Sequence, residues 1–533
     1  MADTYDAVVI GAGHNGLVAA NLLADAGWHV VVLEATDRAG GAVRSDRDTP
    51  APGFTSDVFS AFYPLAKASP VIGSLRLEEH GLRWTHAPLV LAHAFDDGRA
   101  ALLSRDAEET AASFDTFHPG DGDVWRRWSQ RWAELQEPAL AALLQPFPPI
   151  RAGLAMARGF GVAGALRAAR TAVLPVRQFV HEEFGGDGAA MIIAGNALHT
   201  DLAPESAGGA IFGMLLAQLG QHHGFPVPEG GADRLVSALV SRLESRGGEL
   251  RLSAPVRRVL VRDGRASGVQ LEGGEQLVAS RAVLADVPAP ILYERLLGRD
   301  LLPDRLRRDL DHFEWGDGTV KVDWALSGKV PWRATELARA GTVHLGVDLD
   351  GLTRYSADLV TGRIPERPFV LFGQMTTADP TRSPEGTESA WGYTHVPQRD
   401  RWTTQDLDTV TTRMEDAVER LAPGFRDLVI GRLVQGPGDI ERTDPALVGG
   451  SINGGTAAIH QQLVFRPTPG LGRADTFVPG LFLAGSSAHP GGGVHGAAGS
   501  NAARAALRRA QVGRHAYDGT VGALQRYLNR TGR

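Results

Sequence analysis

The sequence predicts an α/β protein: one domain wound around a parallel sheet and assembled from separated stretches of chain, and a second domain of mixed α+β type built from what lies between. Three observations predict it. Residues 7–26 read as strand, glycine turn and helix; residues 480–509 read as a second strand, glycine-rich loop and helix; and short alternating strands with a tight turn stand between them at 256–271.

In the first unit, Ala7 to Ile10 is a short β-branched run, and Gly11, Ala12, Gly13, His14, Asn15 and Gly16 follow at once. Leu17 to Ala26 has helix-forming composition and stops at Gly27; His29 to Leu33 reads as a second strand ending in Glu34. This is the order and spacing of a βαβ dinucleotide-binding unit. Gly11 permits the turn, Gly13 lets backbone approach a pyrophosphate, and Gly16 lets helix and strand pack closely. The helix N-terminus supplies N–H donors and the positive end of a dipole. Glu34 can accept from ribose hydroxyls and would repel a 2′-phosphate. This unit alone does not settle which dinucleotide binds.

Just beyond that strand, the run Arg38 to Ser45 holds a glycine pair, Gly40 and Gly41. Near the other end, Gly480 to Gly485 reads as a buried strand entering a turn. Then come Ser486, Ser487, Ala488, His489, Pro490, Gly491, Gly492, Gly493, Val494, His495 and Gly496, and a helix rich in Ala and Arg from Ala497 to Arg509. A helix N-terminus behind such a loop stabilises negative charge on a reduced ligand, and the glycines let backbone lie against a flat ring.

Together these segments resemble the FAD-dependent phytoene desaturases and carotenoid isomerases, with the β-carotene ketolases, and especially the group called pyridine nucleotide-disulfide oxidoreductase domain protein 2. The wider superfamily includes the amine oxidases. One position departs: Ala42 stands where the family often has Arg directly after the glycine pair, which leaves Arg44 to contact phosphate. The resemblance implies one non-covalent FAD in a discontinuous Rossmann-type domain. It also implies a set of cofactor-binding residues: Gly11, Gly13, Gly16, Glu34, Ala35, Gly40, Gly41, Arg44, Gly485, Gly493 and Val494, with Val256 placing its backbone beside the adenine.

Between the ends, Gly230 to Leu235 leads into a helix through Glu244, strands at 256–261 and 266–271 join around Asp263 and Gly264 as a hairpin, and 282–286 is a returning strand. The FAD-binding domain is accordingly expected at 1–54, 221–299 and 446–533. The substrate domain is expected at 55–220 and 300–445, with strands at 319–326, 342–347, 369–375 and 389–395.

Composition narrows the chemistry. A chain of 533 residues with 43% hydrophobic and 22% charged content has room for two or three domains and a large core. Its net charge of -7 comes from mixed signs, so no nucleic-acid partner is expected. The absence of Cys excludes disulfides, thiolate metal sites, Cys nucleophiles, a redox dithiol and sulfur-linked flavin. Redox chemistry must therefore belong to a bound cofactor, and electrons are expected to leave to oxygen or a quinone. His222 and His223 are adjacent and poorly spaced for two ligands on one element, so no metal is expected.

The N-terminus has neither a basic segment nor a cleavable apolar one, and no apolar run reaches the roughly 18–20 residues of a spanning helix. The expectation is a cytoplasmic protein with peripheral contact at the inner face of the membrane. The contact is placed at 138–181, which lacks any acidic residue and carries Arg151, Arg158, Arg167, Arg170 and Arg177 among apolar residues. The same pattern also describes helices that roof a cavity and expose ordinary arginines.

Flavin dehydrogenation of carbon needs positioning more than a strong acid or base. His489 and His495, in the late glycine loop, are the first candidates for orienting substrate or handling a proton, and each also reads as a structural histidine bonding that loop. Lys321, on the strand 319–323, looks similar to the amine-oxidase lysine that holds a water near the flavin. His199 reads either as cavity-lining or as structural. The leading function is an FAD-dependent oxidoreductase acting on a carbon centre of an apolar, isoprenoid or carotenoid-like substrate by desaturation, isomerisation or oxidation. The alternatives are an amine-oxidase-like flavoprotein and a non-catalytic flavin-binding assembly protein.

Overall fold

The computed structural model describes residues 3–529, with the side chains at 152, 155–163, 165, 514 and 526 outside the description. In chain order the strands are β1 (Thr4–Ile10), β2 (Val30–Leu33), β3 (Ser45–Arg47), β4 (Thr55–Asp57), β5 (Trp84–Thr85), β6 (Leu89–Ala94), β7 (Ala100–Leu103), β8 (Val227–Pro228) and β9 (Glu249–Arg251). They continue as β10 (Val256–Arg262), β11 (Arg265–Leu271), β12 (Gln276–Ala285), β13 (Gly318–Leu326), β14 (Ala340–Leu345), β15 (Val370–Gln374), β16 (Glu388–Val396), β17 (Val429–Gln435) and β18 (Leu481–Leu483).

The first sheet has seven strands in the order β10-β11-β12-β1-β2-β9, with β18 paired to β12. Strand β12 bends from one partner to another along its length. Its first residues pair antiparallel with β11, while Val283 to Ala285 pair parallel with Leu481 to Leu483; β1 runs parallel along the opposite edge. Alternation assigns the two faces. Ala7, Val9, Val30, Val32 and Leu284 join the helices His14–Asp25, Asp233–Ser245 and Ala497–Val512 in one core, and Val8, Ile10, Val31, Leu33 and Val283 join the β10–β11 hairpin in another.

The second sheet runs β17-β13-β16-β15-β14-β6-β7 and is antiparallel except for the β14–β6 pair. One face carries Val320, Val322, Trp324, Val343 and Phe372, covered by Val410, Met414 and Val418 of the helix Thr404–Leu421. The other face looks into the interior. The strands expected at 319–326, 342–347, 369–375 and 389–395 are present with ends shifted by one or two residues; Met375 opens a helical turn instead of closing a strand. The segment 138–181 is helical through Asp121–Leu144, Ile150–Val173 and Val176–Glu183. Among the described residues no helix is long and apolar enough to cross a membrane.

A buried arginine joins the seam between the sheets. Arg382 pairs with Asp57 at 2.9 Å and Asp379 at 2.8 Å and also donates to the carbonyl of Pro228. Asp57 in turn accepts from Ser45 Oγ and the Ala232 N–H, and Asp379 from the Gly230 N–H. Removing one member strands the others without water. Arg382→Ala is expected to cost about 3–5 kcal/mol, read as a lower denaturant midpoint at unchanged slope. A midpoint within error of wild type contradicts this account.

Candidate functional site

Strands β1 and β12 end level with each other, Ile10 opposite Ala285, so the turn at Gly11 and the side chain of Asp286 leave the sheet together. The Asp286 N–H donates to the Ile10 carbonyl, and its Oδ2 accepts the Gly16 N–H at 2.7 Å. A Cβ on Gly13 would stand 2.6 Å from that oxygen, and one on Gly16 2.2 Å from the Gly11 carbonyl oxygen. The glycine turn is thus wrapped around a carboxyl group. Burial raises the Asp286 carboxyl to about 7, with the Gly16 N–H pulling the other way.

Glu34, at the end of β2, accepts the Ala12 N–H through one oxygen and the N–H and hydroxyl of Thr36 through the other. Gly40 bridges to Gly13, and its N–H reaches the Ala12 carbonyl. Arg44 is buried, and donates Nε to the Gly41 carbonyl at 2.8 Å and Nη2 to the Thr443 carbonyl at 2.7 Å.

The late loop arrives beside this turn because β18 pairs with β12 and the helix Ala497–Val512 packs on the helix His14–Asp25. Gly499 is what permits that contact: a Cβ there would stand 1.9 Å from the Asn15 carbonyl oxygen. Arg466 pins the loop from behind, donating to the carbonyls of Asn453, Gly454, Thr456 and Ser486. His495 accepts the Ala497 N–H through Nδ1, and its carbonyl accepts from Ser69 Oγ.

One cavity of about 380 Å³ joins these parts. Gly11, Gly13, Glu34, Gly41 and Arg44 line it from the first unit, and Gly485, Gly493, Val494 and His495 from the late loop. Lys321, Trp391, Tyr393 and His199 line it from the second sheet and the turn above it.

Other sequence candidates fall outside the lining. Gly16 and Gly40 shape the turn from behind, Ala35 is exposed at the end of β2, and Val256 opens β10 two residues after the Ala254 N–H that donates to the Glu34 carbonyl. His489 also does not line it: Nε2 bonds the Gln145 carbonyl at 2.9 Å, so this histidine ties the loop to the end of the helix Asp121–Leu144. Lys321 does line the cavity, but its ammonium is held by both carboxylate oxygens of Asp323, two residues along the same strand face. Lys321 thus meets the cavity as half of an ion pair, with its remaining N–H available to a water or ligand. Sequence reasoning assigned no role to Asp286, although an acid directly after an apolar strand, where α/β sheets bind ligands, is a readable signal.

A family model described as flavin containing amine oxidoreductase matches residues 16–507. The chain belongs to that family. It is 28% identical to pyridine nucleotide-disulfide oxidoreductase domain-containing protein 2 of Rattus norvegicus, over 95% of this chain and 93% of the relative. It is 26% identical to the lycopene-forming phytoene desaturase of Pseudescherichia vulneris, over 94% and 98%. In fold it is similar to a solved putrescine oxidase variant, with a TM-score of 0.60 at 18% identity, covering 96% of this chain and all of that one. As a member of this family of flavin enzymes, the protein is an FAD-dependent oxidoreductase.

The residues present fit FAD. The three-glycine turn leaves no room for a Cβ, and the helix His14–Asp25 begins with no side-chain cap and no acid in its first turn, as an anion-binding terminus requires. Among the described residues, buried polar atoms stand without a protein partner at both helix starts: His14 Nε2, both amide atoms of Asn15, Ser500 Oγ and Asn501 Oδ1. Gly11, Gly13, Glu34, Gly41 and Arg44 would hold the nucleotide half, and Gly485, Gly493 and Val494 the flavin half.

Gly16→Ala is expected to purify with the flavin band per protein reduced about tenfold, because the added methyl meets the Gly11 carbonyl and opens the anion site; full retention of flavin contradicts the assignment. Acid supplies a second check. Burial lowers His14 and His489 to about 4 and His495 to about 3, so below the ordinary value of 6.5 the unfolded chain binds protons that the native loops refuse. Stability is complete above that value and falls as pH drops toward 4. Asp286 has the opposite sign, holding its proton up to about 7 in the native state. Asp286→Asn should therefore steepen the loss of Tm between pH 7 and 5, and a flatter profile would count against both signs.

Proposed function

We propose that the protein oxidises a carbon centre of an apolar molecule of isoprenoid or carotenoid-like character that reaches the cavity from a membrane surface. The observation that carries this reading is the helix Gly209–His223. Phe212, Leu215 and Leu216 line the cavity from it, while Ile211 on the same helix is 48% exposed. The neighbouring helix Ile150–Val173 also exposes apolar side chains, Ile150, Leu166 and Val173. The helix Gly209–His223 thus carries cavity-lining apolar side chains and an exposed one within a few residues. The names of two relatives, phytoene desaturase and hydroxyneurosporene desaturase, support the same substrate class.

The arginines contribute less than the sequence suggests. Arg170 is paired with Glu182, and Arg177 with Glu205 and Asp350; the Arg158 side chain lies outside the described residues. Arg151 and Arg167 are exposed and are the pair left for lipid phosphates.

When bound, FAD supplies two-electron oxidation at its ring. The chain's own part is to position and to exclude water. Trp391 and Tyr393 stack with centroids 5.9 Å apart and form an aromatic floor, Phe212, Leu215 and Leu216 form the roof, and the Lys321–Asp323 pair is neutral as a unit.

Anaerobic mixing of the holoenzyme with an isoprenoid lipid extract should bleach the flavin, and Leu215→Asp should abolish bleaching while flavin content stays unchanged. Bleaching by an amine panel alone would replace this reading with amine oxidation. In flotation with anionic vesicles the protein should rise with lipid, and Ile150→Glu combined with Leu166→Glu should leave it at the bottom. Wild-type protein that stays at the bottom ends the membrane part of the proposal.

A further inference from the structure

Two cavities open on the inner face of the second sheet, and three histidines lie between them. His199 lines the flavin-side cavity, and its Nε2 stands 3.0 Å from Nε2 of His344 on β14. His344 is in turn the register partner of His93 on β6. Neighbouring strands run about 4.8 Å apart, and partners in register leave the sheet on the same face. His93 lines a second cavity of about 440 Å³, shared with Asp96 and Asp187 and rimmed by the exposed Arg354 and Glu366. The cross-strand row Lys321, Tyr393, Leu371, His344 and His93 therefore runs from the flavin side of the sheet to the protein surface.

His199 and His344 are in direct Nε2–Nε2 contact, and the step from His344 to its register partner His93 requires a bridging water. The Nδ1 atoms of His344 and His93 are both buried and have no protein partner among the described residues. Gly195 makes the space for His344, since a Cβ there would stand 2.2 Å from its Nδ1. Burial lowers His199 and His93 to about 3 and takes His344 well below its ordinary value, so all three rings are neutral. A neutral imidazole carries one N–H and one lone pair, so it can accept a proton at one nitrogen and release one from the other. His395, bonded through Nε2 to the Leu198 carbonyl, acts on His199, and Asp96 acts on His93 in the outer cavity beside Asp187, Arg354 and Glu366.

Oxidation of a carbon substrate by removal of two hydrogens sends one to FAD as a hydride and leaves the other to depart as a proton. Of the groups lining the flavin-side cavity, Lys321 is paired with Asp323, and His495 accepts the Ala497 N–H. We propose that His199, His344 and His93 form a proton path between the flavin-side cavity and the surface cavity, serving flavin reduction and reoxidation alike. They act as relay residues and need not touch substrate.

The test uses no substrate, so its failure leaves the proposed substrate class untouched. Holoenzyme reduced with stoichiometric dithionite is mixed with ferricyanide in weak buffer containing a pH dye. Oxidation of the anionic reduced flavin by two ferricyanide ions removes two electrons and frees one proton, and the dye reads its arrival in solution. In wild type the proton should appear in the same phase as the flavin colour. In His93→Gln and His344→Phe its release should slow by at least about tenfold. In His93→Gly, added imidazole should restore the wild-type rate, which a merely structural role for His93 does not predict. Because His344 is wholly buried and its variant is at risk of misfolding, the two His93 variants decide. Proton release at the wild-type rate in His93→Gln, or no rescue by imidazole in His93→Gly, overturns the proposal.

Discussion

Strand β12 is the constraint on which the site depends. It takes β1 along one edge and β18 along the other, so the two glycine segments, far apart in the chain, are brought within one strand of each other by residues from its middle. The parallel register sets their height: Ile10 pairs with Ala285, which in turn pairs with Leu483. All three strands therefore end at one level, and everything that follows them, Gly11, Asp286 and Gly485, is delivered to the same crevice. The helices then close the arrangement, since the approach of Gly499 to Asn15 is tighter than any other side chain would permit.

The electrostatics of the site follow from burial. Burial favours the neutral form of several titratable side chains: His14, His489 and His495 around the loops and the carboxyl of Asp286 in the glycine turn. The buried full charges are compensated in place, Lys321 by Asp323 and Arg382 by Asp57 and Asp379. Arg466 is the contrast, a buried cation whose hydrogen-bond partners are carbonyl dipoles and whose value drops to about 10. Such a site offers a bound molecule fixed dipoles and apolar walls in place of mobile water.

The parts of this arrangement that were legible in the sequence are those governed by local spacing. The turn at Gly11 to Gly16, the acid at Glu34 and the late strand, loop and helix all declare themselves within short windows, because backbone geometry at each is set by nearest neighbours. Lys321 and Asp323 belong to the same class: two residues apart on a strand, they share a face, and their pairing could have been read. His489 could not. Its partner is the carbonyl of Gln145, and nothing in either segment marks that meeting. The same holds for Arg466, and for the histidines of β6, β14 and the turn after the helix Asp187–Ala197, which become neighbours only through sheet order.

The split origin of the first core also orders the events of synthesis. The apolar face of the helix His14–Asp25 is made early, yet its covering helix lies at Ala497–Val512, and the strand that seats the loop at Leu481–Leu483. Until those residues emerge, Leu17, Val18 and Leu23 have no permanent neighbour on that side, and the nascent chain must be kept from sticking to others. Coenzyme capture is thereby postponed until this segment has been made, and a protein truncated before it lacks the loop that would close the site.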